Sequence, residues 1–342
     1  CRSRFFRRFP FMTLSTLPEL TVAPMEGLTT VVYRRLHAQF FGAADRYYLP
    51  FVTPTREPKF TDRQMRELAP QANEGICAIP QLLTRNADDF IWAAKALADL
   101  GYKEVNLNLG CPAGTVTAKG KGSGFLQYPD ALREFLDRIF SANLPIAISV
   151  KTRIGYSHED EFGALVDIYN DFADGMDSLT IHPRLRTDFY KGDLRVHVFN
   201  RFFTELKMPI GYNGDIITVD DISRVRHRYK PLKMIMVGRA LMADPALFRK
   251  AAGGNPATLP EIASFYEALF DSYAQAFQSR KNALMRMKEY WFFQHNLFVG
   301  AERAVKQIYK AKTVEDYQAA VETIFENFDL RNDAVYGWKK PL

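Results

Sequence analysis

The chain has 342 residues, 47% of them hydrophobic and 25% charged, with a formal net charge of +6. These values suit a globular protein with one large domain and a smaller one, and they exclude a disordered or fibrous chain. No apolar run approaches the roughly 18–20 residues of a membrane span, and Cys1, Cys77 and Cys111 form neither a CxxC pair nor an even disulfide set.

A reducing, cytoplasmic setting is expected, with no membrane attachment and no obligate protein partner. Arg2, Arg4, Arg7 and Arg8 crowd the opening segment CRSRFFRRFPF, which precedes Met12. Residues 1–18 are expected to be an extension outside the fold, so global charge is a weak signal of nucleic-acid binding. From residue 19, strand-like runs alternate eight times with helix-like stretches. The strands are expected at 19–24, 46–52, 77–83, 104–110, 146–153, 178–184, 210–215 and 233–240. Amphipathic helices are expected at 86–100, 129–141, 159–173, 220–228 and 244–252. This rhythm over residues 19–253 predicts a TIM (β/α)8 barrel. A doubly wound sheet is the alternative, but polar or special residues recur at the C-terminal ends of nearly all the strands, and only a barrel gathers those ends on one face. Gly253-Gly254-Asn255-Pro256 then breaks the pattern. Long helical stretches at 261–278 and 280–298 predict a smaller all-α domain over 256–342.

The fourth strand leads into the most informative segment, EVNLNLGCPAGTVTAKGKGSGFL at 104–126. Two-residue alternation puts Asn106 and Asn108 on one side of the strand, and Cys111 sits where strand gives way to a Gly- and Lys-rich loop. A lone Cys is often a small buried hydrophobe; on such a loop it can instead meet a ligand. Lys119 and Lys121 make an anionic partner the expectation. Lys151 lies in the strand ISVKTRIG, where it must find a charge partner or shift its pKa. Schiff-base chemistry and anchoring of an electron-rich cofactor ring are both open readings. Asn213-Gly214-Asp215 and Gly238-Arg239 follow the seventh and eighth strands, the usual place of a barrel phosphate cradle. His182 and Arg184 end the sixth strand in TIHPRLR, where a structural role for His182 is equally open. Residues 280–312 hold eight Lys or Arg against two acidic residues, with Tyr290, Trp291, Phe292, Phe293 and His295 interleaved. That is either an RNA-binding face or a solvated helix with its aromatics in the core. No zinc or iron–sulfur spacing and no GxGxxG after the first strand is present.

The pattern NLNLGCPxxxVxxxGxGxxL closely resembles the signature of the tRNA-dihydrouridine synthases, and the resemblance continues through APMEG, NGDI, VGR and the helical region. It implies FMN as cofactor, NADPH as reductant and a tRNA uridine as substrate, with Cys111 as the acid that protonates C5. It implies flavin contacts from Pro24, Met25, Glu26, Gln81, Lys151 and His182, and a phosphate site from Asn213, Gly214, Asp215, Gly238 and Arg239. Substrate or tRNA contacts are expected from Asn108, Lys119, Arg153, Arg184, Arg286 and Lys288. Relatives read HGRT where this chain has Pro183 and Leu185, a departure that puts the local backbone and the role of the missing Thr in question. Glu26 and the RMKEYW stretch look most like the bacterial C-type branch, which acts on D-loop position 16. Two other function classes are carried: a free-pyrimidine FMN reductase of the dihydroorotate dehydrogenase type, and a non-catalytic RNA-binding barrel. The first would not need a basic helical domain; intact Cys111 and Lys151 argue against the second.

Overall fold

The computed structural model describes residues 17–335. Residues 1–16, where most of the expected extension falls, lie outside the described residues. Nine parallel strands form the sheet: β1 (Glu19–Val22), β2 (Arg46–Tyr48), β3 (Ala78–Ile79), β4 (Gln81–Leu82), β5 (Glu104–Leu109), β6 (Ala147–Arg153), β7 (Met176–His182), β8 (Ile210–Tyr212) and β9 (Met234–Val237). Their order is β3-β2-β1-β9-β8-β7-β6-β5-β4. Only Pro80 separates β3 from β4, so the two ends of that order are one stave and the sheet closes into a barrel. Pro80 has no N–H to give the ladder, but its carbonyl still accepts from the Asn106 N–H at 2.8 Å. Counting that stave once, the eight expected strands are all present, and the TIM barrel stands over the doubly wound alternative.

The expected barrel helices also form, at Ala87–Asp99, Pro129–Ser141, Glu161–Asp171, Val219–Arg228 and Leu247–Ala251. Their starts are chemically marked. The Asn86 side chain accepts from the Asp89 N–H, and Thr218 with Asp221 forms a reciprocal capping box. Asp130 and Asp220 sit in first turns, where the helix dipole favours them. Helices Val31–Phe40 and Val196–Phe203 carry β-branched and aromatic residues and were not among the sequence expectations.

Two long helices, Leu259–Phe277 and Arg280–Gln294, pack together and against the barrel beside Val31–Phe40. The seam is aromatic: Phe265 lies 5.0 Å from Phe41 and 6.1 Å from Tyr33, ring to ring. Tyr290 donates to the Leu28 carbonyl, and Tyr273 hydrogen-bonds Thr30 at 2.6 Å. Among the described residues, no helix is long and apolar enough to cross a membrane.

Candidate active site

A cavity of about 720 Å³ opens at the C-terminal ends of the strands. Ala23–Glu26 reach it from β1, Asn108 and Cys111 from β5, Lys151 and Arg153 from β6, and His182 from β7. Asn213–Asp215 reach it from β8, and Gly238 and Arg239 from β9. The alternation of a strand makes this possible: on β6, Ile148 and Val150 face the helices while Lys151 and Arg153 face the lumen.

Cys111 is held by its neighbours' backbone and side chains. The Gly110 and Cys111 N–H groups both donate to Asn108 Oδ1, at 3.0 and 2.9 Å. The Ser123 hydroxyl and N–H donate to the Cys111 carbonyl at 2.8 and 3.1 Å. Gly122, at φ +56°, closes the loop so tightly that a Cβ there would stand 2.8 Å from the Cys111 carbonyl oxygen. Arg153 donates from Nε to the Gly110 carbonyl at 2.9 Å and from Nη1 to the Leu185 carbonyl at 2.8 Å. Burial pushes the Cys111 thiol above its ordinary value, against a smaller lowering by a backbone hydrogen bond.

Lys151 has no ion-pair partner among the described residues and is half-buried at the cavity wall. Burial, and then the charge of Arg153, push its ammonium down to about 7. The unfolded chain holds that proton up to the ordinary lysine value near 10.5. Charging this site therefore costs stability below about pH 7, and the cost fades as pH rises from 7 towards 10.5. Cofactor-free Lys151→Met is expected to melt above the wild type at pH 6 by several degrees, roughly 4 °C or more. The gap should narrow steadily to pH 10. A gap that is constant or widens with pH would show that Lys151 is not held in this state. His182 is likewise pushed well below its usual range by burial and then by Arg153 and Lys151. Its Nε2 lies 3.2 Å from Arg184 Nη1, which can only donate, so the ring is neutral with its proton on Nδ1.

Several expected contacts are redirected. Gln81 is 1% exposed and does not line the cavity; its amide bonds Asn106 and Asn108. Arg184 is fully buried and also misses the cavity, because its guanidinium forks onto both Asp215 oxygens at 2.8 and 2.6 Å. Arg239 adds a bond to Asp215 at 2.8 Å, so the two residues expected to meet a phosphate also meet each other. Asn213 donates to the Met236 carbonyl at 2.7 Å while lining the cavity. Lys119 is exposed on the loop beyond Cys111 and outside the lining. Arg286 pairs with Glu289 at 2.6 Å and packs against Gly27. Lys288 donates to the Tyr309 and Ala311 carbonyls at 3.1 and 2.6 Å, at the end of the helix Val305–Lys310. Tyr290 and Trp291 are wholly buried, so for these two the core reading holds and the RNA-face reading does not. Leu185, where relatives carry Thr, is buried, and its carbonyl serves Arg153. Asp188 accepts from the Leu185 N–H at 2.8 Å and pairs with Arg195, which fixes the backbone around the departure.

Several contributors had not been singled out for the site, Lys191 among them. Tyr190 stacks on His182 at 6.0 Å, with the guanidiniums of Arg153 and Arg239 each 5.3 Å from its ring. Phe292 and Phe293 enter the lining from the helix Arg280–Gln294. The sequence held a signal for the pair in its aromatic run, but none for Tyr190, which lies in an irregular loop. Among the described residues, no group of three or more His, Cys, Asp or Glu side chains is placed to hold a metal ion.

Comparison with known proteins gives a consistent answer. The family described as Dihydrouridine synthase (Dus) matches residues 21–329. tRNA-dihydrouridine synthase B of Serratia marcescens is 31% identical over 233 residues, covering 68% of this chain and 67% of that protein. A probable tRNA-dihydrouridine synthase of Staphylococcus epidermidis is 26% identical over 346 residues, covering 93% of this chain and 98% of that one. Among solved structures, the old yellow enzyme from Trypanosoma cruzi superposes with a TM-score of 0.51 over 69% of this chain and 88% of that chain, at 9% identity. Morphinone reductase gives 0.50 at 13% identity over 70% of this chain and 87% of that chain. These two likenesses concern the barrel fold. The family match spans the barrel and the helices beyond it, and the chain belongs to the dihydrouridine synthase family of flavin-dependent oxidoreductases.

Proposed function

We propose that this protein is an FMN-dependent tRNA-dihydrouridine synthase that uses NADPH to reduce the 5,6 double bond of a D-loop uridine, at position 16. One observation carries the reading: a thiol kept protonated by burial stands at the wall of a cationic cavity. Lys151, Arg153, Lys191 and Arg239 line that cavity against Glu26 and Asp215. At about 720 Å³ it has the size of sites that enclose cofactor-sized ligands. Gly238 backs onto Met25, where a Cβ would stand 3.0 Å from the sulfur, so no side chain fills the cradle at that strand end. Arg184 and Arg239 both reach the Asp215 carboxylate beside Gly238. These features fit a flat ring system with a phosphate tail.

Bound there, FMN reduced by NADPH supplies the hydride for uridine C6. The chain supplies the rest. Lys151 and His182 would hold the ring, the loops after β8 and β9 would hold the phosphate, and Cys111 would give its proton to C5. The substrate uracil must leave its stack to reach this depth. Residues 256–342 serve as the tRNA-binding domain: the excess of basic residues over 280–312 attracts the phosphate backbone, while Phe292 and Phe293 complete the cavity. Lys119, Arg153 and Arg286 would add further RNA contacts. The APMEG and RMKEYW segments favour the C-type position, whereas the Serratia relative carries the B-type name; the experiment therefore reads the position. The enzyme would act in the cytoplasm, where tRNA is modified.

A strain lacking the gene should lose dihydrouridine at one D-loop position, and the purified protein should be yellow and release FMN on denaturation. Unchanged dihydrouridine, or release of FAD, overturns the proposal. Turnover of free uracil in place of tRNA would mark a free-pyrimidine reductase instead.

A further inference from the structure

The inward-facing residues of β5 are polar and buried: Glu104, Asn106 and Asn108 are 5%, 0% and 6% exposed. In a barrel lumen each must be matched by a partner. They are matched in series, across register partners: Gln81 lies opposite Asn106, and Asn106 opposite Ser149. The Ser149 hydroxyl donates to Glu104 Oε1 at 2.6 Å, and Asn106 Nδ2 donates to Ser149 Oγ at 2.8 Å. Gln81 Nε2 donates to Asn106 Oδ1 at 2.7 Å, and Asn108 Nδ2 donates to Gln81 Oε1 at 2.7 Å. Asn108 Oδ1 then receives the Gly110 and Cys111 N–H groups.

The polarity of this series is fixed at both ends. Arg46, which can only donate, pairs with Glu104 Oε2 at the foot of the barrel, and Tyr48 donates to Oε1 at 3.1 Å. With the carboxylate accepting, Ser149 spends its one proton there, and its lone pair must take the Asn106 amide. Each amide in turn is left with its oxygen facing up the barrel. The far end demands the same sense, because two backbone N–H groups need an acceptor. A reversed amide anywhere would set oxygen against oxygen among buried groups.

We propose that Glu104, Ser149, Asn106 and Gln81 are positioning residues: their one-way hydrogen-bond series sets the Asn108 amide, and through it the place of the Cys111 thiol. The catalytic consequence rests on Cys111 being the proton donor; the positioning itself does not.

Ser149→Ala cuts the series between Glu104 and Asn106 without touching the cavity lining. Alkylation of Cys111 by iodoacetamide, mapped by mass spectrometry on the purified full-length protein, should quicken about tenfold, the scale of one lost buried hydrogen bond. Ser149→Thr, which keeps the hydroxyl, should return it to near the wild-type rate. If Ser149→Ala folds poorly, Asn106→Ser, too short to span to Gln81, takes its place with the same expectation. Uridine reduction should slow about tenfold while flavin reduction by NADPH holds, and in a Cys111→Ala background the same change should add nothing. An unchanged alkylation rate overturns the proposal. So does an equal, additive loss in the Cys111→Ala background. If even the wild type reduces no tRNA uridine, the functional proposal falls, and the alkylation result alone decides the positioning.

Discussion

Cys111→Ala is expected to slow uridine reduction by roughly 10²–10⁴-fold, the range for a lost general acid. Flavin reduction by NADPH should be unchanged, because that half-reaction needs no proton at uridine C5. The protein binds the cysteine loop through backbone atoms: Asn108 takes the N–H, and Ser123 caps the carbonyl. Removing the sulfur therefore leaves these backbone-held contacts in place. The thiol is pushed above its ordinary value by burial, so the acid form dominates throughout the neutral range. The uridine half-reaction of the wild type should then be flat across neutral pH and fall only as the thiol ionises in alkaline solution. Stopped-flow measurement of the two half-reactions separately is the test. Equal losses in both would mean that Cys111 holds structure, and a rate that climbs as pH rises through the neutral range would mean that it acts as a thiolate nucleophile.

The barrel was legible in the sequence because each βα unit writes its own signal: a short apolar or alternating run, then a 3.6-residue stripe, then a capping residue. Those signals are local, and they placed every stave. The helix Val196–Phe203 escaped because its residues are β-branched and aromatic and carry a strand's propensity, which packing on the barrel overrides. The break at Pro80 was visible as a residue, but its consequence was not. Only the closed register shows that the proline carbonyl still serves β5 although the residue has no N–H to give the ladder.

Within the site, residue type and strand-end position were readable, whereas the partner of each side chain was not. Gln81 was recognised as a polar strand end, yet sequence cannot say that both ends of its amide are taken by Asn106 and Asn108, which lie 25 and 27 residues away. Arg184 and Arg239 were each read as cations at a strand end; their shared carboxylate depends on β7, β8 and β9 being neighbours. Lys288 shows the same limit from the surface. Its charge suggested RNA, but one of the three proton positions of its ammonium meets the Ala311 carbonyl at 2.6 Å and another the Tyr309 carbonyl. Composition counts charges without showing which are already engaged.

Asp215→Ala is expected to lower folding stability by about 3–5 kcal/mol, the cost of breaking a buried ion pair by deleting one partner. It should also strip the protein of FMN. Arg184 has a fully buried side chain, and its two terminal nitrogens meet the two Asp215 oxygens in a fork, the strongest geometry open to this pair. Arg239 approaches the same carboxylate from the next strand end. One side chain thus ties together the exits of three adjacent strands, β7, β8 and β9, and orients the guanidinium nearest Gly238. Without the carboxylate, Arg184 keeps its charge in a place stripped of water, and two cations face each other across the gap. Asp215→Asn preserves shape and can accept one of the bonds, so it should fall between the wild type and Asp215→Ala. Urea unfolding, with FMN content read from the absorbance of the purified protein, measures both effects. If Asp215→Ala unfolds at the wild-type midpoint and stays yellow, the two arginines are held by other groups, and the strand ends need no shared carboxylate to keep the phosphate cradle in shape.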